Sequence, residues 1–148
     1  MKISTRVEYG LAALIDIDVH ATPSNPVNVL SISKRQNIPA KYLEQVMTPL
    51  RQARLIVGIK GARGGYILGR PSGQITLEEV LNGLDSSILS PYYEANLNGN
   101  DALKKVLNTN LWQLFEKSLL DISRNMTLEV LVNKYKESLS AENFMFFI

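Results

Sequence analysis

The chain has 148 residues, 45% of them hydrophobic and 20% charged, and a formal net charge of +2. This length suits one compact domain, or a small domain with an assembly element, and excludes two large lobes. The sequence has no cysteine and one histidine, His20, which argues against disulfides, thiolate-held clusters, cysteine nucleophiles and histidine triads, so we expect neither a metal nor a cofactor.

Charge is divided unevenly along the chain. Residues 1–73 hold ten Lys and Arg against four Asp and Glu, a net +6, whereas residues 74–148 hold six against ten, a net −4. A basic first half is typical of a protein whose one end meets a polyanion, although an ordinary solvated surface is an equal alternative. The charged start and the lack of a long apolar run predict a cytoplasmic protein that does not enter a membrane.

The first predicted helix begins at a capping box. Thr5 and Glu8 have the spacing at which a hydroxyl and a carboxylate satisfy each other's free backbone amides. The helix should end near His20, since Pro23 and Pro26 follow in a polar cluster. Its interior is apolar over a wide arc, which indicates cover on more than one side.

Two short helices joined by a tight turn come next. Asn28 suits the cap of the first helix, and Asn37 suits the left-handed residue that closes it. Such a pair is typical of a helix-turn-helix, whose second helix enters the major groove of DNA. Pro49 removes one backbone amide from the second helix, so we expect a kink or an irregular last turn there.

The second helix should have one buried face and one polar face. Its buried stripe has the spacing i, i+3, i+4, i+7 and consists of Leu43, Val46, Met47 and Leu50. The opposite face carries side chains that can bond to bases or phosphates, namely Lys41, Glu44, Gln45, Thr48 and Arg51.

A glycine-rich stretch over residues 60–70 follows, between β-prone segments 56–59 and 66–68. It lacks the spacing and the following helix of a nucleotide-binding loop, so a hairpin is the better interpretation. A hairpin directly after a helix-turn-helix is a wing. Its glycines allow close approach to a sugar-phosphate backbone, while Lys60 and Arg63 supply positive charge.

The second half of the chain predicts an assembly element. A capping box at Thr76 and Glu79 opens a helix to about Leu84, and a polar loop covers residues 86–100. A long helix over residues 101–125 would measure roughly 35 Å and is too apolar for a small winged domain to cover. We expect a second copy to cover it through Leu103, Leu107, Leu111, Leu114 and Phe115. A last helix should span residues 128–137.

The sequence resembles the winged-helix repressors of the Rrf-two (Rrf2) family. The motifs that carry the resemblance are KYLEQ at 41–45, ARLI at 53–56, KGARGGYIL at 60–68, MKIST and YGL at the start, ITL at 75–77 and FMFFI at the end. The last motif is most similar to the branch that represses cysteine metabolism, CymR. The resemblance implies a mainly α fold with a small β-wing: a winged helix-turn-helix domain over 1–85, and a loop, dimerisation helix and tail over 86–148.

Three positions depart from the family pattern. Arg6-Val7-Glu8 replaces the usual Lys-Gly-Arg, which removes an expected phosphate contact by the first helix. Arg54 replaces the glycine that ends the recognition helix, which adds a cation at a cost of ~1 kcal/mol if the backbone is left-handed there. Lys60 replaces the wing arginine, so Arg63 would share its role. The loop 86–100 also lacks the cysteines of the cluster-binding branches.

These features predict a homodimeric repressor that binds double-stranded DNA at a palindromic operator. By the resemblance, the position of Glu44 reads bases, and the alternative is a surface acid that repels incorrect sites. A winged helix used for protein contacts without sequence-specific DNA binding is the competing function. An enzyme is not expected, because no nucleophile is paired with a base.

The apolar tail needs a docking place. It can fold against its own dimer. The resemblance instead implies a partner, the cysteine synthase O-acetylserine sulfhydrylase, which would accept Phe146, Phe147 and the terminal carboxylate of Ile148.

Overall fold

The computed structural model describes residues 3–89, 98–99 and 101–146. The elements in chain order are α1 (Thr5–His20), α2 (Val29–Gln36), α3 (Ala40–Gln52), β1 (Ile56–Ile59), β2 (Gly65–Leu68), α4 (Leu77–Leu84), α5 (Asp101–Leu107), α6 (Gln113–Asn125) and α7 (Leu128–Phe146). Short 3₁₀ turns cover Ser72–Gln74 and Ser86–Ile88, and a π-helical turn, Asn108–Trp112, joins α5 to α6. The fold is therefore mainly α with a small β-wing, as predicted.

Helix α1 begins one residue earlier than the predicted capping box requires. Its cap is Ser4, whose hydroxyl accepts a hydrogen bond from the amide of Val7 at 3.4 Å. Thr5 is already the first helical residue, so the predicted box between Thr5 and Glu8 is wrong. Both Ser4 and Thr5 have a hydroxyl that can cap a helix. The helix starts after Ser4, and Val7 in its first turn is buried.

Helices α2 and α3 form the predicted helix-turn-helix. The Asn28 side chain accepts a hydrogen bond from the Ser31 amide at 2.8 Å, and Asn37 closes α2 in the left-handed conformation with φ 53°. In the turn, the Ser33 hydroxyl donates to the Ile38 carbonyl at 2.6 Å. Helix α3 continues through Pro49 to Gln52.

The wing is an antiparallel hairpin with a third point of attachment. Ile56 pairs with Leu68, and Ile59 pairs with Gly65. Val27, which precedes α2, exchanges two backbone hydrogen bonds with Tyr66, at 3.0 and 2.7 Å. A Cβ at Gly65 would lie 2.5 Å from the Val27 carbonyl oxygen, so this close pairing requires glycine.

The helices that follow the wing are α4 to α7, and the start of α7 packs against the core. Thr76 and Glu79 make the predicted capping box at the start of α4. The helix predicted over residues 101–125 has those bounds but contains the π-helical turn. Helix α7 extends to Phe146, nine residues beyond the predicted end. Leu128 and Val132, near the start of α7, are buried in the same core as α1 and α3.

Within the described residues, none of the helices combines the length and hydropathy that crossing a membrane requires. The division into residues 1–85 and 86–148 stays a prediction.

Candidate nucleic-acid interface

Helix α3, the predicted recognition helix, exposes its polar face to solvent. Leu43, Val46, Met47 and Leu50 are buried, with exposed fractions of 0–3%. The side chains predicted to contact DNA are exposed on the opposite side: Lys41, Glu44, Gln45, Thr48 and Arg51. Burial of the apolar stripe therefore fixes which way these polar groups point.

Arg54 follows this helix in a left-handed conformation. Its φ is +60°, and its side chain is exposed. A Cβ at Gly69 would lie only 2.4 Å from the Arg54 carbonyl oxygen. The Gly69 amide donates a hydrogen bond to the Leu55 carbonyl at 2.9 Å. The position does need φ > 0, so the sequence adds a cation here at a conformational cost.

The wing tip, residues 60–64, is a tight loop with two exposed cations. Gly61 has φ +115°, and the Gly64 amide donates to the Gly61 carbonyl at 3.0 Å. Lys60 precedes this turn, Arg63 lies within it, and both are exposed. Among the described residues, no carboxylate forms an ion pair with Lys41, Arg51, Lys60 or Arg63. These cations are therefore available to phosphates.

A recess beside α3 contains Arg6, Tyr9 and Tyr42, which the sequence analysis did not assign to DNA binding. It measures about 460 Å³ and is lined by Thr5, Arg6, Tyr9, Tyr42, Gln45 and Val46. The rings of Tyr9 and Tyr42 lie 6.1 Å apart at an interplanar angle of 34°. Two tyrosine hydroxyls, a guanidinium and an amide are hydrogen-bond donors for a phosphate. Arg6 stands where the family pattern has lysine and brings a cation to this end of α1, whereas the position of the lost arginine is Glu8.

The predicted dimer residues lie on the arm formed by α5 and α6. Leu103, Leu114 and Phe115 are 44–56% exposed, and Leu107 and Leu111 are half-buried. Val106 and Ile122 are also more than half exposed. One copy of the chain thus leaves much of this apolar face uncovered.

The predicted tail contacts cannot be placed in the structure. Phe147, Ile148 and the side chain of Phe146 lie outside the described residues. Just before them, Phe144 and Met145 are exposed.

Comparison with known proteins identifies the family to which this chain belongs. Residues 3–134 match the family model Rrf2, described as iron-dependent transcriptional regulator. The chain belongs to the Rrf2 family. It is 33% identical over 133 residues to the HTH-type transcriptional regulator IscR of Cronobacter sakazakii, which covers 90% of this chain and 81% of that protein. The relatives are regulators rather than enzymes, and a helix-turn-helix regulator of this family binds DNA.

Solved structures agree with the family assignment. CymR of B. subtilis, the global cysteine regulator, matches with a TM-score of 0.76 and 30% identity, over 90% of this chain and 98% of that one. IscR of T. potens matches with a TM-score of 0.71 and 30% identity, over 93% and 90%. The predicted resemblance to Rrf2 regulators with CymR-like relatives is confirmed.

The iron of the family description does not fit this Rrf2 chain. The loop 86–100 has no cysteine, and neither has the rest of the sequence. In the described part of the chain, no three His, Asp or Glu side chains are grouped so that they could hold a metal ion. A thiolate-held iron–sulfur cluster therefore has no ligands here.

Proposed function

We propose that this regulator is a homodimeric repressor that binds a palindromic operator and controls genes of cysteine or sulfur metabolism. One observation carries the proposal: the polar face of α3 and the cationic wing tip are both exposed on one winged helix-turn-helix. A helix of this kind fits the major groove, and a wing that follows it reaches the adjacent backbone or minor groove.

The side chains divide into two roles by their chemistry. Gln45 can form two hydrogen bonds to adenine, and Glu44 can accept one from the N4 amino group of cytosine. The cations contact phosphates, which position the protein without specifying sequence; they are Lys41, Arg51, Arg54, Lys60 and Arg63. Thr48 lies one turn beyond Glu44 and Gln45 and can reach either a base or a phosphate.

The dimer is supported by the uncovered apolar face of the arm. Exposed side chains such as Leu114 and Phe115 would each contribute roughly 1.5–3 kcal/mol if a second copy buried them. A two-fold dimer carries two equivalent recognition helices, and a palindrome is the DNA sequence that presents equivalent half-sites to them.

The class of regulated genes is supported by likeness alone. The chain lacks the cysteines that would hold a cluster, and the CymR structure of B. subtilis that it resembles is that of a cysteine regulator. Both features favour cysteine or sulfur metabolism over iron–sulfur sensing. The proposal places the protein in the cytoplasm, where it has access to the chromosome.

The experiment that tests this function is selection of genomic DNA fragments by the purified protein at ~100 mM salt, followed by sequencing. We expect a palindromic motif whose half-sites lie about one helical turn apart, near genes of sulfur metabolism. Absence of sequence preference would instead favour a winged helix that binds an acidic protein partner. Enrichment near unrelated genes would remove only the gene class.

The O-acetylserine sulfhydrylase partner is a separate component of the proposal. We propose that this enzyme binds the tail through Phe146, Phe147 and the branched apolar side chain of Ile148. Calorimetry should show synthase binding to the full chain and none after deletion of Ile148, with the dimer unchanged. Equal affinities would return the tail to a structural role.

A further inference from the structure

A polar cavity separates the tip of the wing from the start of α2 and the end of α1. Its volume is about 490 Å³. The side chains that line it and can donate a hydrogen bond are His20, Asn25, Asn28, Ser31, Arg35 and Arg63. None of the described residues in this lining is Asp or Glu. The chemistry of the lining therefore suits an anion rather than a cation.

Backbone contacts hold the two sides of this cavity together. Val27, which precedes α2, exchanges hydrogen bonds with Tyr66 of the wing at 3.0 and 2.7 Å. Gly64 of the wing tip lines the cavity, and a Cβ at the next residue, Gly65, would lie 2.5 Å from the Val27 carbonyl oxygen. Because the wing is attached to the chain beside α2, the cavity exists before any ligand binds.

A buried carboxylate fixes one guanidinium in the cavity wall. Asp16 is 0% exposed and accepts hydrogen bonds from Arg35 Nε at 2.9 Å and from Arg35 Nη2 at 2.7 Å. These bonds leave the two N–H donors of Nη1 without a partner among the described residues. His20 Nε2 lies 4.0 Å from the same carboxylate. Asp16 thus offsets the charge of Arg35 and also fixes where its remaining donors lie.

Arg63 and Ser31 contribute donors from the wing and from α2. In the described part of the chain, neither side chain forms a hydrogen bond or an ion pair. Arg63 therefore brings to the cavity a positive charge that no carboxylate offsets. A phosphate group has several acceptor oxygens and a negative charge, so it can accept from a guanidinium, a hydroxyl and an imidazole together.

We propose that this cavity is a phosphate-binding site, in which His20, Ser31, Arg35 and Arg63 hold one backbone phosphate of the bound DNA. The inference rests on the proposed function, because a wing that follows a recognition helix meets the adjacent sugar-phosphate backbone. The contact would position the DNA without specifying its sequence. A free phosphate ester has the same chemistry, so the experiment has to distinguish these two sources.

The lone histidine provides a direct probe of the cavity. Because the chain has one histidine, the imidazole C–H signals in a proton NMR spectrum belong to His20. The full chain would be titrated with sodium phosphate, and separately with sodium chloride at the same pH and ionic strength, both free and bound to a selected operator duplex. Arg63→Gln removes the charge of the wing. Lys34→Ala, at an exposed cation of α2 outside the cavity lining, is the matched control.

We expect phosphate, and not chloride, to shift the His20 signals of the free protein. Arg63→Gln should weaken this binding by about tenfold, the effect of losing one hydrogen bond to a charged group, and Lys34→Ala should not. Operator DNA should shift the same signals, and phosphate added to that complex should cause no further change, because the cavity is occupied.

His20 signals that respond to neither phosphate nor operator DNA would overturn the site, as would responses that Arg63→Gln leaves unchanged. A further phosphate shift in the operator complex would overturn the DNA contact and assign the cavity to a free phosphate ester. A wild-type chain that prefers no DNA sequence would overturn the proposed repressor function, whereas a phosphate shift in that free protein would still support the cavity.

Discussion

Arg35 holds Asp16 in a two-point ion pair across α1 and α2. The two bonds measure 2.9 and 2.7 Å, and the carboxylate is fully buried whereas the guanidinium side chain is 34% exposed. The bond to Asp16 and its negative charge raise the pKa of Arg35 above its ordinary value. The pair therefore places a carboxylate charge in the core that Arg35 compensates at close range, while Gln36 donates a further hydrogen bond at 2.8 Å and the His20 imidazole lies 4.0 Å away.

Arg35→Met should destabilise the fold strongly, because it leaves the Asp16 carboxylate buried with Gln36 as its remaining strong donor. We expect a loss of about 3 kcal/mol, the lower end for a broken buried pair, because Arg35 is partly in solvent. Urea unfolding measures it. Lys34→Met, an exposed cation one position earlier, is the matched control and should change stability little. Equal losses in the two variants would contradict the assignment.

Much of the fold follows from local patterns. The stripe of α3, the caps at Asn28 and Thr76 and the glycines of the wing each depend on residues within a few positions of one another. The start of α1 was missed by one residue because neighbouring Ser4 and Thr5 are both good caps. Helix α7 is longer than predicted because residues 128–146 contain no proline or glycine that would end the helix.

What the sequence did not predict depends on contacts between distant positions. Asp16 and Arg35 are 19 residues apart, and Tyr9 and Tyr42 are 33 apart, so no periodicity connects them. The π-helical turn was also missed, although Asn110 donates to the Val106 carbonyl there at 3.0 Å. Asparagine side chains that bond to the backbone compete with regular helix, but this effect has no fixed spacing.

Arg54→Gly should stabilise the protein. The left-handed conformation costs a residue with a side chain about 1–2 kcal/mol, and the entropic cost of glycine is about 0.5–1 kcal/mol, so we expect a gain of up to about 1.5 kcal/mol. Arg54→Ala removes the charge without relieving the backbone and should show no gain. Both variants should lose the same DNA affinity if Arg54 contacts phosphate. Thermal unfolding and anisotropy separate the two effects, and a stabilised Arg54→Ala would contradict this explanation.

Lys60→Ala and Arg63→Ala should weaken binding to all duplexes alike. Each lost phosphate contact should reduce the slope of log affinity against log salt concentration by about 0.9. The measurement is anisotropy over a salt series with operator and random DNA. Lys134→Ala, which removes an exposed cation from α7, is the control and should leave the slope unchanged. A wing variant with the wild-type slope would remove that residue from the phosphate contacts.

Glu44→Ala should change base preference more than total affinity. A carboxylate near phosphates repels DNA, so its removal costs little overall, but it also removes the acceptor that distinguishes cytosine. We expect discrimination at one base pair of each half-site to fall by about 1–3 kcal/mol. Ranking of single-base operator variants measures this. Glu44→Gln keeps the shape without the charge, and an unchanged ranking in Glu44→Ala would exclude base reading.

Leu114→Lys and Phe115→Lys should separate the dimer without unfolding the chain. Both side chains are more than half exposed in one copy, so a lysine at Leu114 disturbs little within the protomer and one at Phe115 loses an edge-to-face contact with Trp112. At a dimer interface either lysine would bury an unpaired charge. Light scattering at micromolar concentration should show the mass fall from twice 16.5 kDa to 16.5 kDa.

Leu30→Lys, at a similarly exposed leucine on α2, should remain dimeric. Operator affinity should fall with the mass although neither residue contacts DNA, because one half-site binds weakly. A wild-type chain that is already monomeric, or dimers in both arm variants, would show that the apolar face of the arm is not the dimer interface.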